Sequence, residues 1–245
     1  WADYDTAKIS TGGGVWSRVE KRVELSLEAR EALGLETADD ITPNEIVSAI
    51  LCAPADLLWN GGIGTFVKAS YESNVDVGDR PNDAVRVDGR DIRARVVGEG
   101  GNLGFTQKGR IEYAQAGGRL NIDAIDNSGG VNISDHEVNL KILLGIAIEE
   151  GSLTRSQRDD LLRDVEREVA ELVLYDSYLQ AQIVSQEVAV SAERLETYED
   201  LMLLLEEGGM LDRGLESLPT SEQMSERIRN GVPMMRPELC VLLSH

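Results

Sequence analysis

The chain is poor in the side chains from which most metal and redox centres are built. Two cysteines and two histidines occur in 245 residues. Cys52, His136, Cys240 and His245 are scattered, so no ligand spacing of a metal site is present and none is expected. Both cysteines sit in apolar surroundings, "SAILCAP" and "PELCVLL". Free buried thiols are therefore expected, which fits a reducing, cytoplasmic compartment. Long apolar runs are missing too. None approaches the ~20 residues of a membrane span, and the first residues lack the basic, apolar, small-residue order of a secretory signal. Basic charge is scarce: 24 Lys+Arg stand against 44 Asp+Glu, a net charge of -20. A polyanion would be repelled, which sets nucleic acid aside as a partner. What is present, 42% hydrophobic residues, suits a folded globular chain.

The charge is also uneven. Residues 1–148 carry 15 basic and 23 acidic side chains, residues 149–245 carry 9 and 21, and no lysine follows Lys141. The opening "WADYDTAKIS" and the closing "RPELCVLLSH" both read as interior sequence, so a piece of a longer chain is expected.

Secondary structure follows from pattern and punctuation. "LSLEAREALGL" reads as a short helix. In "TPNEIVSAILCAP", Thr42 is an N-cap, Pro43 suits the first helical position, Glu45 completes a capping box and Pro54 ends the helix. "DLLWNGG" and "RARVVGEGG" are buried strands running into glycine loops. Between them lies a long polar excursion without clear periodicity. "TQKGRIEYAQAGG" is a helix capped by Thr106 and closed by Gly117 and Gly118. "RLNID" is expected as a third strand, "AIDNSGGVNI" as a loop, and "SDHEVNLKILLGIAIEEG" as a helix with Ser134 and Glu137 in a capping box. In that helix Val138, Ile142 and Ile146 keep helical spacing. Strands and helices alternating over short links predict a parallel α/β sheet. After Gly151 strand signals stop. Thr154 and Gln157 cap a further helix, with Leu161, Val165, Val169 and Leu172 on one face. The fold class expected is α/β: a partial Rossmann-like parallel sheet over 1–148, then an all-helical region over 149–245.

Three strand ends would then present "WNGGIG", "GEGGNLG" and "DNSGGV" at one sheet edge, where ligands of such sheets bind. Each loop carries an asparagine, Asn60, Asn102 and Asn127, whose amide both donates and accepts and so suits ribose hydroxyls, a carboxamide or a carboxylate. The competing reading is that glycine and asparagine are simply turn residues. "VVGEGGNLGF" also approaches the dinucleotide fingerprint. Gly98 and Gly100 fit the first two glycines of Gly-x-Gly-x-x-Gly, but Leu103 stands at the third, which normally permits close helix–strand packing. Physics thus argues against a pyrophosphate loop here.

Taken together, "VVGEGGNLG…GRIEYAQAGGRLNIDAIDNSGGVNISDHEVN" resembles the cofactor-domain end of glutamate dehydrogenases. "DLLWNGGIGTFVKAS", "DVGDRPNDAVRVDG" and "RPELCVLL" are similar to the large bacterial NAD-specific members, so the resemblance covers essentially the whole chain. It implies NAD-dependent oxidative deamination of L-glutamate to 2-oxoglutarate and ammonia. NAD rather than NADP rests on the family alone. By the same resemblance, Asn102 and the Gly100 loop face the ribose or nicotinamide, Asn60 and Gly61 border the nicotinamide, Asn127 and Gly129 close over nicotinamide and substrate, and Ser134 contacts the glutamate side-chain carboxylate. Asp123 is then a loop acid and not the ribose selector, and His136 a packing or surface residue. The family's catalytic lysines, acid/base aspartate and phosphate loop are not in this stretch. No catalytic residue is expected here, and the piece alone should be inactive. Expected partners are the rest of its own chain and, in a homo-oligomer, further copies. A non-catalytic interaction module and a dehydrogenase of a different amino acid are the alternatives.

Overall fold

Capping chemistry that is local in sequence is realised at Thr42, Thr106 and Thr154, but not at Ser134. The computed structural model describes residues 3–35 and 41–245. Helix α1 (Leu27–Leu33) ends on Gly34 at φ +66. Helix α2 (Pro43–Leu51) opens with the reciprocal Thr42–Glu45 box, and Pro43 occupies its first turn. The missing N–H of a proline costs nothing there.

Strand β1 (Leu57–Asn60) follows; it is not the buried strand expected, since Leu57 and Trp59 are exposed. The polar excursion after it is not featureless. It holds β2 (Val67–Lys68), the short helix α3 (Asn74–Val77) and β3 (Val87–Asp88). Strands β2 and β3 pair in parallel as a separate two-stranded sheet. Strand β4 (Val96–Glu99) then pairs in parallel with β1, Leu57 opposite Val96 and Asn60 opposite Glu99. Helix α4 (Gln107–Gln115) is capped by Thr106, which accepts from the Gly109 N–H. Tyr113 on α4 donates its buried hydroxyl to the Ala94 carbonyl at 2.6 Å, pinning the helix to the entry of β4.

Three expectations are corrected downstream. "RLNID" is no third strand: Arg119 alone pairs with Val96, and the chain then turns into helix α5 (Asp123–Asp126). Ile122 is drawn into the helical core, while Asp123 and Asp126 bond loop N–H groups, so the segment cannot continue a ladder. "DNSGGV" is no loop, because helix α6 (Ser128–Glu149) begins at Ser128. Ser134 therefore caps nothing. It lies inside α6 and donates its hydroxyl back to the Gly130 carbonyl at 3.3 Å, while Glu137 pairs with Lys141.

From Gly151 (φ +75) the chain folds back into α7 (Arg155–Val190), capped by the Thr154–Gln157 box. At 36 residues α7 is roughly 54 Å long by the 1.5 Å helical rise. Helices α8 (Leu195–Glu207), α9 (Arg213–Glu216), α10 (Ser221–Asn230) and α11 (Arg236–Leu242) complete the chain. No strand occurs after Glu149 among the described residues. The apolar spacing of α6 and α7 is helical, yet much of it stays open: Val138, Ile142, Ile146, Leu161 and Leu172 are all exposed. No helix among the described residues is long and apolar enough to cross a membrane.

The result is a mixed α/β chain with two main cores. One, around Val67, Val97, Phe105, Tyr113 and Leu120, holds the sheets and α4 together. The other joins Ile122 to α7, α8, α10 and α11 through Met202, Met224 and Leu239. Helix α11 links them. Gln107 donates to the Pro237 carbonyl at 3.0 Å, and Arg236 donates to the Asn121 side chain at 2.6 Å. Cys52 and Cys240 are both free; Cys240 is buried as expected, whereas Cys52 is only partly buried. Burial pushes the Cys240 thiol up to about 11, so it stays neutral.

Candidate functional site

Because β1 and β4 are parallel and in register, their following loops, 60–64 and 100–104, leave one sheet edge together. The Gly101 N–H donates to the Asn60 carbonyl at 3.1 Å. Backbones this close require glycine. A Cβ on Gly101 would lie 2.5 Å from the Gly62 carbonyl oxygen, a main-chain atom that cannot swing aside. Glycines 98 and 100 make room in the same way for the Trp59 ring, which a Cβ would meet at 2.6 and 2.4 Å. We expect Gly101→Ala to push the two loops apart. Thermal unfolding of parent and variant checks this: the main-chain clash should lower the midpoint, and an unchanged midpoint would mean that the two loops are not packed this closely.

The third expected loop is replaced by the junction of α5 and α6. Asn127 sits at that junction, and its amide donates to the Asn102 side-chain oxygen at 2.5 Å. Two of the three sequence-predicted asparagines thus meet across 25 residues of chain. The third, Asn60, is on the same edge. Its Oδ1 takes a long bond from the Gly62 N–H, and its Nδ2 is buried with no partner. That nitrogen lies against Gly104, where a Cβ would come within 1.8 Å. Gly61 is exposed at the mouth of the first loop, and Gly100 is half-buried under Trp59. Gly129 lies in the first turn of α6, facing Val173 and Ser177 of α7. Ser134 is exposed on the same helix, with its hydroxyl held by Gly130. His136 lies near Asp176 of α7 at 3.6 Å, on the hairpin surface.

Sequence reasoning missed what holds the second loop in shape. Glu99, the last residue of β4, is fully buried, and its carboxylate accepts Arg110 Nε at 2.6 Å, Arg110 Nη2 at 3.0 Å and the Phe105 N–H at 3.1 Å. It therefore ties the two ends of the loop to α4. Burial pushes the Glu99 carboxyl up, and the bonds from Arg110 pull it down. Arg110 reaches Asp123 as well, at 3.0 Å. Asp123 accepts the Leu103 N–H at 2.7 Å, and Asp126 accepts the Glu99 N–H at 2.9 Å. Leu103, where the fingerprint wants glycine, holds φ +60. A left-handed leucine carries a strain of order 1–3 kcal/mol and persists only when its surroundings impose it. An acid ending an apolar strand is the one local hint of this network that the sequence offers.

The chemistry of the edge is that of neutral amides and close backbone. It can grip hydroxyls, a carboxamide or a carboxylate. It does not fit a diphosphate, because the cation at the loop, Arg110, is already held by Glu99 and Asp123. Among the described residues no cluster of His, Cys, Asp and Glu could hold a metal ion.

Residues 1–187 match the family described as bacterial NAD-glutamate dehydrogenase, catalytic domain. The whole chain is 47% identical to the NAD-specific glutamate dehydrogenase of Halomonas elongata, 49% to that of Pseudomonas aeruginosa and 45% to that of Mycobacterium tuberculosis. In each comparison the chain is covered completely but spans 15% of the relative's length. The chain, with its paired glycine loops and joined asparagines, belongs to the bacterial NAD-glutamate dehydrogenase family, and matches that family's catalytic domain over residues 1–187.

Proposed function

We propose that this chain is part of an enzyme that oxidatively deaminates L-glutamate to 2-oxoglutarate and ammonia with NAD as acceptor, and that it forms the nicotinamide end of the cofactor site. The observation that carries the reading is the Asn102–Asn127 amide pair at the shared carboxyl edge of β1 and β4. Family membership supplies the reaction. The donor set fits the nicotinamide and its ribose: exposed Asn102, the orphaned Asn60 amide nitrogen, and the glycine backbone at Gly61 and Gly100. Bound NAD would supply the hydride acceptor. The protein's part is to orient it, with Asn127 and Gly129 closing the junction side and Ser134 positioned toward the substrate carboxylate.

In this reading residues 1–148 are the distal part of a Rossmann-like NAD-binding domain and 149–245 a helical domain. The confinement of strands and of the Val67–Leu120 core to the first part supports that division. The helical part serves as packing surface toward the rest of the protein or a second subunit of a homo-oligomer, which the open apolar positions on α6 and α7 support. The reducing cytoplasm is the compartment proposed. The piece alone is proposed to be inactive, its hydride-transfer site being incomplete.

The test uses the whole protein. Asn102→Ala and Asn127→Ala should each raise KM for NAD about tenfold, the worth of one hydrogen bond at a reacting ligand. Ser134→Ala should raise KM for glutamate and leave that for NAD alone. If all three leave turnover and both constants unchanged, the loops are turns in an interaction module. If turnover prefers another amino acid, only the substrate assignment falls.

A further inference from the structure

The geometry assigns Asp123 as a positioning residue: through its bond to the Leu103 N–H it imposes the left-handed turn that presents Asn102 to Asn127 and to the ligand at this edge. The inference rests on the proposed cofactor site. Five residue pairings carry it. Asp123 Oδ2 accepts from Leu103 at 2.7 Å, and Asp123 Oδ1 meets Arg110 Nη2 at 3.0 Å. Arg110 in turn is held by buried Glu99 at the base of the same loop. Asp126, one turn on, holds the Glu99 N–H, and Asn127 follows directly with its bond to Asn102. One short segment, 123–127, thus grips the loop at positions 99, 102 and 103. Leu103 is itself 64% exposed, so no packing of its side chain explains why it keeps φ +60. The bond to Asp123 does. Loss of that bond would let the chain relax to negative φ. The peptide between residues 102 and 103 would then rotate and carry the Asn102 side chain off Asn127.

Glycine adopts φ +60 without penalty, and that makes the inference testable. In the whole protein, Asp123→Ala should raise KM for NAD about tenfold when Leu103 is present. In a Leu103→Gly background the same Asp123→Ala change should raise it by about twofold or less, because the turn no longer needs to be imposed. A merely structural aspartate would lower the thermal midpoint in both backgrounds and show no such coupling in KM. Equal KM effects in the two backgrounds would overturn the assignment. Should Asp123→Ala fail to fold, Leu103→Val against Leu103→Gly is decisive, since a β-branched residue resists the left-handed region and leaves the Asp123–Arg110 pair untouched. Valine should show the higher KM for NAD by about tenfold, and equal values would overturn the inference. Asn102→Ala separates the two levels. If it leaves KM for NAD unchanged, the cofactor reading itself fails. If it raises KM but the Asp123 and Leu103 changes do not couple, only the positioning role fails.

Discussion

Replacing Arg110 by methionine should cost the folded chain about 3–5 kcal/mol, the penalty of leaving a buried charge without its partner. Glu99 is fully buried and Arg110 is 5% exposed, so solvent cannot replace the lost guanidinium. The pH dependence of the variant gives the sharper signature. Burial already lifts the Glu99 carboxyl above its ordinary 4.5, and the bonds from Arg110 oppose that lift. Without Arg110 the lift grows. The folded state then binds a proton that the unfolded state releases above 4.5, so the variant loses stability as pH rises from that value and recovers part of it as pH falls. Glu99→Gln added to Arg110→Met should also restore stability, because a neutral amide has no counter-charge to miss. Urea unfolding of parent, single and double variants at pH 5 and pH 8 checks both points. A loss below about 1 kcal/mol, or a loss equal at the two pH values, would mean that the pair is not the buried ionic bond described.

Leu239→Ala should cost about 2–5 kcal/mol through lost burial and the cavity it leaves. Leu239 is fully buried in the larger core, on a helix that also bonds α4 and the Asn121 segment. Loosening α11 therefore reaches beyond its own core. The amides of α4 should lose hydrogen-exchange protection along with those of α8 and α10. Leu239→Met, which roughly conserves volume, should cost less than about 1.5 kcal/mol. If both variants unfold at the same urea concentration, or if α4 keeps its protection in Leu239→Ala, the link through α11 is not what holds the two cores together.

Both results concern residues whose importance is invisible in the sequence, and the pattern is consistent along the chain. Thr42, Thr106 and Thr154 were legible as caps because a cap bonds groups two or three residues away. Strands β1 and β4 were legible as short apolar runs ending in glycine. Asn60 and Asn102 were legible as candidates because an amide at a strand end suits ligand chemistry, while Asn127 stands instead at the junction of α5 and α6. The third strand and the start of α6 were not. "RLNID" has strand composition, yet its ladder is given up because Ile122 finds a helical core and Asp123 an N–H across the loop. Gly129 and Gly130 disfavour a helix locally by about 1 kcal/mol each, but α6 packs along α7 and the tertiary contacts outweigh them.

By itself, the sequence determined the caps at Thr42, Thr106 and Thr154, the parallel strands β1 and β4, and the lack of strands after Glu149 among the described residues, since all of these depend on neighbours within a few residues or on simple apolar patterning. The tertiary structure alone decided that Asn127 meets Asn102, that Leu103 turns left-handed, and that Glu99, Arg110 and Asp123 form the frame beneath them. Those bonds join residues 11 to 27 positions apart. A charged pair becomes decisive only once folding has removed the water around it, and sequence spacing does not record that removal.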